Sequence, residues 1–265
     1  MATNNIARIL VAPPDNLETN LVKAAALILN KDPYEARLLL SGKIPKLIAY
    51  YPNSHEAELI ANRLKALGLV AVVCSDRELR ECPSTRFIAH TMKFGDREIT
   101  FWDKGSQMMK MEPEDVFLIL KGRLQSMTGK EVTKTSLKFS LPATLLTGGF
   151  PIWRKVKETT KEAVIEAAYF VKLYDRMSSE PRVEIFENYF DFSSLGAKIE
   201  PSSLANLNRI ITEMREIFPH ALFDDKLVQP LGTGLSTTAQ DKDLELNCKL
   251  IYLYYQAVRN LGSQT

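Results

Sequence analysis

The residues best placed to do chemistry in this chain are the cations between Lys121 and Lys157. Lys121, Arg123, Lys130, Lys134, Lys138, Arg154, Lys155 and Lys157 meet a single acid, Glu131, before Glu158 restores balance. Trp153 sits inside the run, close to Gly148-Gly149. Lys134, Lys138, Trp153, Arg154 and Lys155 are therefore the candidate ligand-binding residues, because clustered cations attract phosphates or an anionic membrane surface. The opposing reading is a solvated face balanced in space by Glu112, Glu114 and Asp115, since lysines on strand edges also deter aggregation. Acidic residues gather at Glu184, Glu187 and Asp191 and again at Asp224-Asp225. On a strand Glu187 and Asp191 would point the same way, and paired carboxylates support metal or acid–base chemistry. Surface turns share that composition. His55, His90 and His220 have no ligand spacing, and neither GxxxxGK[ST] nor GxGxxG occurs, so Gly148-Gly149 reads as a turn. No catalytic residue, metal ligand or cofactor is expected.

Composition sets the class around these residues. The chain has 265 residues, 45% of them hydrophobic and 25% charged, as in a globular protein with a real core. A net charge of +2 leaves a nucleic-acid binder dependent on a local patch. Cys74, Cys82 and Cys248 are too widely spaced for a disulfide framework or a zinc motif and read as buried thiols in a reducing compartment. The opening MATNNIARIL has no basic region leading into an apolar one, and no apolar run is long enough to cross a bilayer. The expectation is a soluble cytoplasmic protein.

Punctuation then predicts the elements. Ile6–Ala12 reads as a strand stopped by Pro13-Pro14. Leu17, Leu21, Ala25 and Ile28 recur at helical spacing, with Asn30 to close the helix. Asp32-Pro33-Tyr34-Glu35 starts a second helix, with Asp as cap and Pro at the first position. Lys46–Tyr51 is a strand between prolines, Ser54 caps a third helix ending at Gly68, and Leu69–Cys74 is a strand. The segment KDPYEARLLLSGKIPKLIAYYPNSHEAELIANRLKALGLVAVVC, in its β-α-α-β-α-β order, resembles the C-terminal domain of the bacterial ribosomal stalk protein, a fold shared with the Clp protease adaptor. The resemblance spans residues 6–75 and implies a docking platform for protein partners, without site residues to carry over.

A charged, turn-rich stretch at 76–86 marks a boundary. Ser84–Gln125 reads as a β-meander: Phe87–Phe94, Glu98–Trp102, Met108–Met111 and Val116–Leu120, separated by Gly95-Asp96, Lys104-Gly105 and Pro113. Thr135–Leu141 is a further strand and Thr160–Tyr174 a helix with Val164, Ala167, Ala168 and Val171 inside. Val183–Phe186 and Tyr189–Phe192 form a strand pair. Ser203 caps a helix with Leu204, Leu207, Ile211, Met214 and Phe218 inward, stopped by Pro219. Strands closed by one helix over 86–218 are similar to a pleckstrin-homology-like barrel, which implies a scaffold for lipid head groups, peptides or proteins. After the loop-like Leu231–Gln240, the Asp241–Leu261 helix has two apolar stripes, one of them Leu244, Cys248, Ile251, Tyr255 and Val258. Ile251, Tyr255 and Val258 are candidate interaction residues for a partner or homodimer; the alternative is packing onto the chain itself.

The predicted architecture is α+β. A small β-α-α-β-α-β domain (1–80) precedes a barrel-like antiparallel β domain with a helical insertion (86–230) and a C-terminal helix (238–261). The expected function is a non-enzymatic binding or adaptor protein with a protein partner. One alternative is an anionic lipid or nucleic-acid binder using residues 121–157, and another is a hydrolase using the acidic cluster.

Overall fold

Three strands and three helices open the chain in the order read from the sequence: β1 (Ala7–Val11), α1 (Thr19–Leu29), α2 (Pro33–Leu40), β2 (Lys46–Tyr51), α3 (Ser54–Ala66) and β3 (Ala71–Ser75). Local chemistry sets their ends. Asn30 closes α1 at φ 52°, a left-handed state that asparagine tolerates. The Asp32 carboxylate accepts from the Tyr34 and Glu35 amides, and Pro33 opens α2. Asn53, one residue before the predicted Ser54, caps α3 by accepting from the Glu56 amide at 2.8 Å. β1 lies between β2 and β3 and is antiparallel to both. Alternate residues on a strand face opposite sides. Ala7, Ile9 and Val11 accordingly pack with Ala25, Leu40, Ala57 and Leu64 of the helices, while Leu10 enters a second core.

The computed structural model describes residues 6–80, 86–139, 153–229 and 240–262, with side chains over 6–80, 86–124, 168–229 and 244–260. Beyond α4 (Asp76–Arg80) come β4 (Ile88–Ala89), β5 (Thr91–Phe94), β6 (Ile99–Trp102) and β7 (Met108–Met111). The last three form an antiparallel sheet in meander order. A five-stranded sheet follows the order β11-β8-β9-β10-β4, built from β8 (Leu118–Phe139), β9 (Trp153–Tyr174), β10 (Val183–Phe186) and β11 (Leu222–Leu227). β10 runs antiparallel to β9, whereas β4 with β10 and β11 with β8 are parallel pairs. The class is α+β, and among the described residues none of the three sheets closes into a barrel. Residues 1–124 with 168–265 make one unit, and 125–167 make another.

Several sequence expectations are corrected. Thr160–Tyr174 is the later part of strand β9 and not a helix. Phe170, Val171, Leu173 and Tyr174 are all buried, so the strand is covered on both faces and lacks the alternation that would distinguish it from a buried helix. Pairing with β10, from Val183↔Leu173 to Phe186↔Phe170, decides the matter. The strand expected at Thr135–Leu141 is part of β8, which ends at Phe139. Tyr189–Phe192 is not a strand: the Tyr189 and Phe190 amides both donate to Phe186 O, and Phe192–Lys198 is 3-10 helical, capped by Asp191 and kinked at Gly196 (φ 53°). The Gly148-Gly149 turn and most of the Leu231–Gln240 stretch lie outside the described residues.

Two further helices complete the core. α5 (Ser203–Ile217), capped by Ser202, buries Leu207, Ile210, Ile211 and Met214 against Ile99, Phe101, Val171 and Ile185. α6 (Gln240–Gly262) buries Cys248, Leu250, Ile251, Tyr252 and Leu253. Those residues share one cluster with Leu10, Cys74 and Leu79 and with Phe117, Leu120, Phe170 and Tyr174. Tyr252 meets Phe117 edge-on at 5.7 Å and Tyr174 at 5.4 Å between ring centroids.

One glycine is required by packing within this core. A Cβ on Gly122 would lie 2.2 Å from Phe170 Cζ, because the phenyl ring lies across the β8 backbone there. Gly122→Ala is expected to cost about 1–3 kcal/mol or more in urea unfolding, as over-packing does. Adding Phe170→Leu should recover part of that loss, and strictly additive costs would contradict the ring-over-glycine account.

Candidate functional site

The most concentrated polar chemistry among the described side chains lies where β9, β10, the approach to β4 and α6 converge. Lys172 of β9 and Glu184 of β10 are register partners, and each is only 1% exposed. Lys172 Nζ stands 3.2 Å from Glu184 and 2.6 Å from Glu245 of α6. Arg86 Nε is 2.8 Å from Glu184, and the same guanidinium also bonds Glu245. Two cations and two carboxylates thus alternate in a closed set. Both Glu184 oxygens are wholly buried and are held by ion contacts, not by aligned hydrogen bonds.

Burial and neighbouring charge act on these groups in opposite directions. For Glu245, burial favours the neutral acid, but the charge and hydrogen bond of Lys172, then those of Arg86, outweigh it and hold the carboxyl below its usual range. For Lys172, burial disfavours the ammonium, yet Cys248, Glu184 and Glu245 together hold its pKa above the usual value. Near neutrality the two carboxylates do this work, because burial pushes the Cys248 thiol up to about 12 and leaves it uncharged. The Cys74 thiol is likewise pushed up to about 12 by burial. Each charged group of this set is therefore already opposed by a partner of the other sign, and the Cys248 thiol beside them is neutral. What the arrangement does is hold α6. Lys249 adds an ion pair to Glu180 at 2.5 Å, and Tyr255 donates to the buried Asp224 at 2.8 Å.

The acidic residues read from the sequence have separate duties. Glu184 belongs to the buried set. Glu187 accepts from the Tyr169 amide and from Ser203 Oγ. Asp191 caps the 3-10 helix through Ser193, whose amide and hydroxyl hold its carboxyl below the usual range. Asp224 bonds Tyr255 and Lys226, and Asp225 is exposed. Glu187 and Asp191 follow the end of β10 and do not share a strand face. His55, His90 and His220 lie on three different segments, and among the described residues no group of three or more His, Cys, Asp or Glu could hold a metal ion.

Of the candidate interaction residues, Ile251 is buried in the core, Tyr255 is partly buried on Asp224, and Val258 is 38% exposed. Lys134 and Lys138 fall in β8, and Trp153, Arg154 and Lys155 fall in β9. Their side chains lie outside the described residues. Lys121 and Arg123, the first two cations of that run, are described and flank the ring of Tyr169. A groove of about 660 Å³ along α5 is lined by Phe94, Ile217, Arg209 and Glu213 among others. Its cations are already paired, Lys198 with Glu213 and Arg209 with Glu200.

The buried ion set had a sequence signal: a lone lysine in AAYFVKLY and a lone glutamate in VEIF, each a charge inside an apolar run. No protein-family model, curated protein or solved structure matches the chain. No helix among the described residues is long and apolar enough to cross a membrane.

The ion set predicts a stability pattern. Lys172→Met leaves Glu184 buried with Arg86 alone and is expected to cost about 3–5 kcal/mol at neutral pH by urea unfolding. Glu245→Gln should cost less, since Glu245 is 38% exposed. A depressed carboxyl contributes above its unfolded pKa and loses that contribution as pH falls through the folded value. The gap between wild type and Glu245→Gln should therefore shrink progressively below the ordinary value of 4.5. A gap unchanged in acid would mean that Glu245 acts by packing alone.

Proposed function

We propose that the protein is a non-enzymatic adaptor that engages a protein partner, with residues 125–139 of β8 and 153–167 of the neighbouring β9 as the engaging element. The observation that carries this reading is the length of these strands. Each is 22 residues long. β11 pairs with β8 only as far as Gly122, and β10 pairs with β9 only back to Phe170. Beyond those points β8 and β9 continue through residues 125–139 and 153–167, in a unit separate from the rest of the chain. At about 3.3 Å per residue each continuation spans on the order of 50 Å. A two-stranded ribbon is marginally stable in water, and its edges expose unpaired backbone donors and acceptors. A partner strand or surface that uses those edges gives such a length a reason to exist.

The N-terminal β-α-α-β-α-β module, through its resemblance to the stalk-protein and Clp-adaptor fold, supports the same reading as a second docking surface. The buried, free Cys74 and Cys248 suit a reducing cytoplasm. The adaptor reading requires no cofactor.

A chain in which residues 125–167 are replaced by an Asn-Gly turn tests the proposal. That variant is expected to keep the wild-type melting transition of the remaining unit. It should lose the discrete species that formaldehyde cross-links to the full chain in cells. A cross-link to a second copy would make the partner another protomer. Cross-links to nucleic acid alone, or none in the full chain, would overturn the reading.

A further inference from the structure

We propose that Lys121, Arg123 and Tyr169 form a binding site for a phosphate group. Lys121 and Arg123 are alternate residues of β8 and stand on one face of the sheet. Lys121 Nζ lies 5.7 Å, and Arg123 Cζ 5.8 Å, from the centroid of the Tyr169 ring in β9. The ring attracts both cations without neutralising either. Lys121 also donates to Asn208 Oδ1 of α5 at 2.6 Å, again to a neutral group. Arg123 Nε is buried and has no acceptor. Buried donors are nearly always satisfied, so an orphan on an arginine fork indicates a missing acceptor.

The neighbouring carboxylates do not fill that role. Glu187 is engaged by the Tyr169 amide at 3.1 Å and by Ser203 Oγ at 2.6 Å. Glu187 and Asp225 act on Lys121 through space, but burial outweighs them and lowers its pKa. Two cations gathered on one neutral ring, one with a dehydrated donor, match the double charge and several acceptor oxygens of a phosphate monoester or free phosphate. The arginine offers parallel N–H donors and the lysine a movable point charge. The site lies outside residues 125–167 and stands independently of their proposed role.

Calorimetric titration of the full chain with inorganic phosphate at low ionic strength tests the proposal. Saturable one-to-one binding is expected. Arg123→Gln and Lys121→Met should each weaken it by roughly tenfold or more, as loss of a charge-assisted hydrogen bond does. Arg123→Lys should be intermediate, and Lys93→Gln, at an exposed lysine on β5, should match wild type. If Arg123→Gln melts below the assay temperature, Lys121→Met decides. Vesicles carrying a phosphate-monoester headgroup separate the two sources. Vesicle binding competed away by phosphate assigns a lipid, and phosphate binding without vesicle binding assigns a soluble ligand. Absence of saturable phosphate binding by wild type, or wild-type affinity in both Arg123→Gln and Lys121→Met, overturns the site.

Discussion

An ammonium group that is almost completely buried organises this fold. Lys172 cannot remain charged inside the sheet without anions, and among the described residues its own sheet supplies one, Glu184 on the next strand. Arg86 also draws on Glu184, so strands β9, β10 and the approach to β4 would together carry two cations against one carboxylate. Balance arrives only with Glu245 from the C-terminal helix. Taking such charges out of water costs several kcal/mol per ion, recovered only when every partner is in place. The C-terminal helix therefore supplies the second carboxylate of the ion set.

The apolar contacts of α6 follow from that placement. Its buried residues meet Leu10 and Cys74 of the first sheet and Phe117, Leu120 and Tyr174 of the second in one cluster. The helix touches β1, β3 and α4 as well. β1 can thus bury both of its faces, one under α1 to α3 and the other against α6. Residues of both apolar stripes, Cys248 and Ile251 on one and Leu250 and Leu253 on the other, are buried in this cluster. A core assembled from residues 10, 120, 174 and 251 has large sequence separations, so loop-closure entropy precedes its reward.

The legibility of the sequence followed the range of each interaction. Asp32-Pro33, Asn30 and the β5–β7 meander are settled by neighbours within a few residues, and they were readable. The later part of β9 has the sequence pattern of a helix because Phe170, Val171, Leu173 and Tyr174 are buried on both faces, which erases the period. β11 has no strand signal because Asp224-Asp225 has turn composition; its strand is made tolerable by Tyr255 and Lys226, which bond Asp224 from the distant helix and from nearby. The parallel pairs β4–β10 and β8–β11 join segments about a hundred residues apart, and no local signal marks them. For the candidate sites, Lys121 and Arg123 were visible as charge, but their shared ring at Tyr169 depends on strand pairing.

The change from a five-stranded sheet to two strands is also where the specialised residues gather. β11 ends its pairing at Gly122 and β10 at Phe170, and those two residues are the ones that touch, ring on backbone. With no side chain on Gly122, Phe170 can close the apolar layer at the last row of the sheet. On that same row, Lys121, Arg123 and Tyr169 belong to the opposite face, since adjacent residues alternate. One face therefore ends in a sealed core, and the other ends in two cations and an unsatisfied donor. Strand alternation joins these features: the packing that requires glycine at position 122 sends residues 121 and 123 away from the core. A functional role for those cations needs no departure from the fold that the Lys172 ion set holds in place.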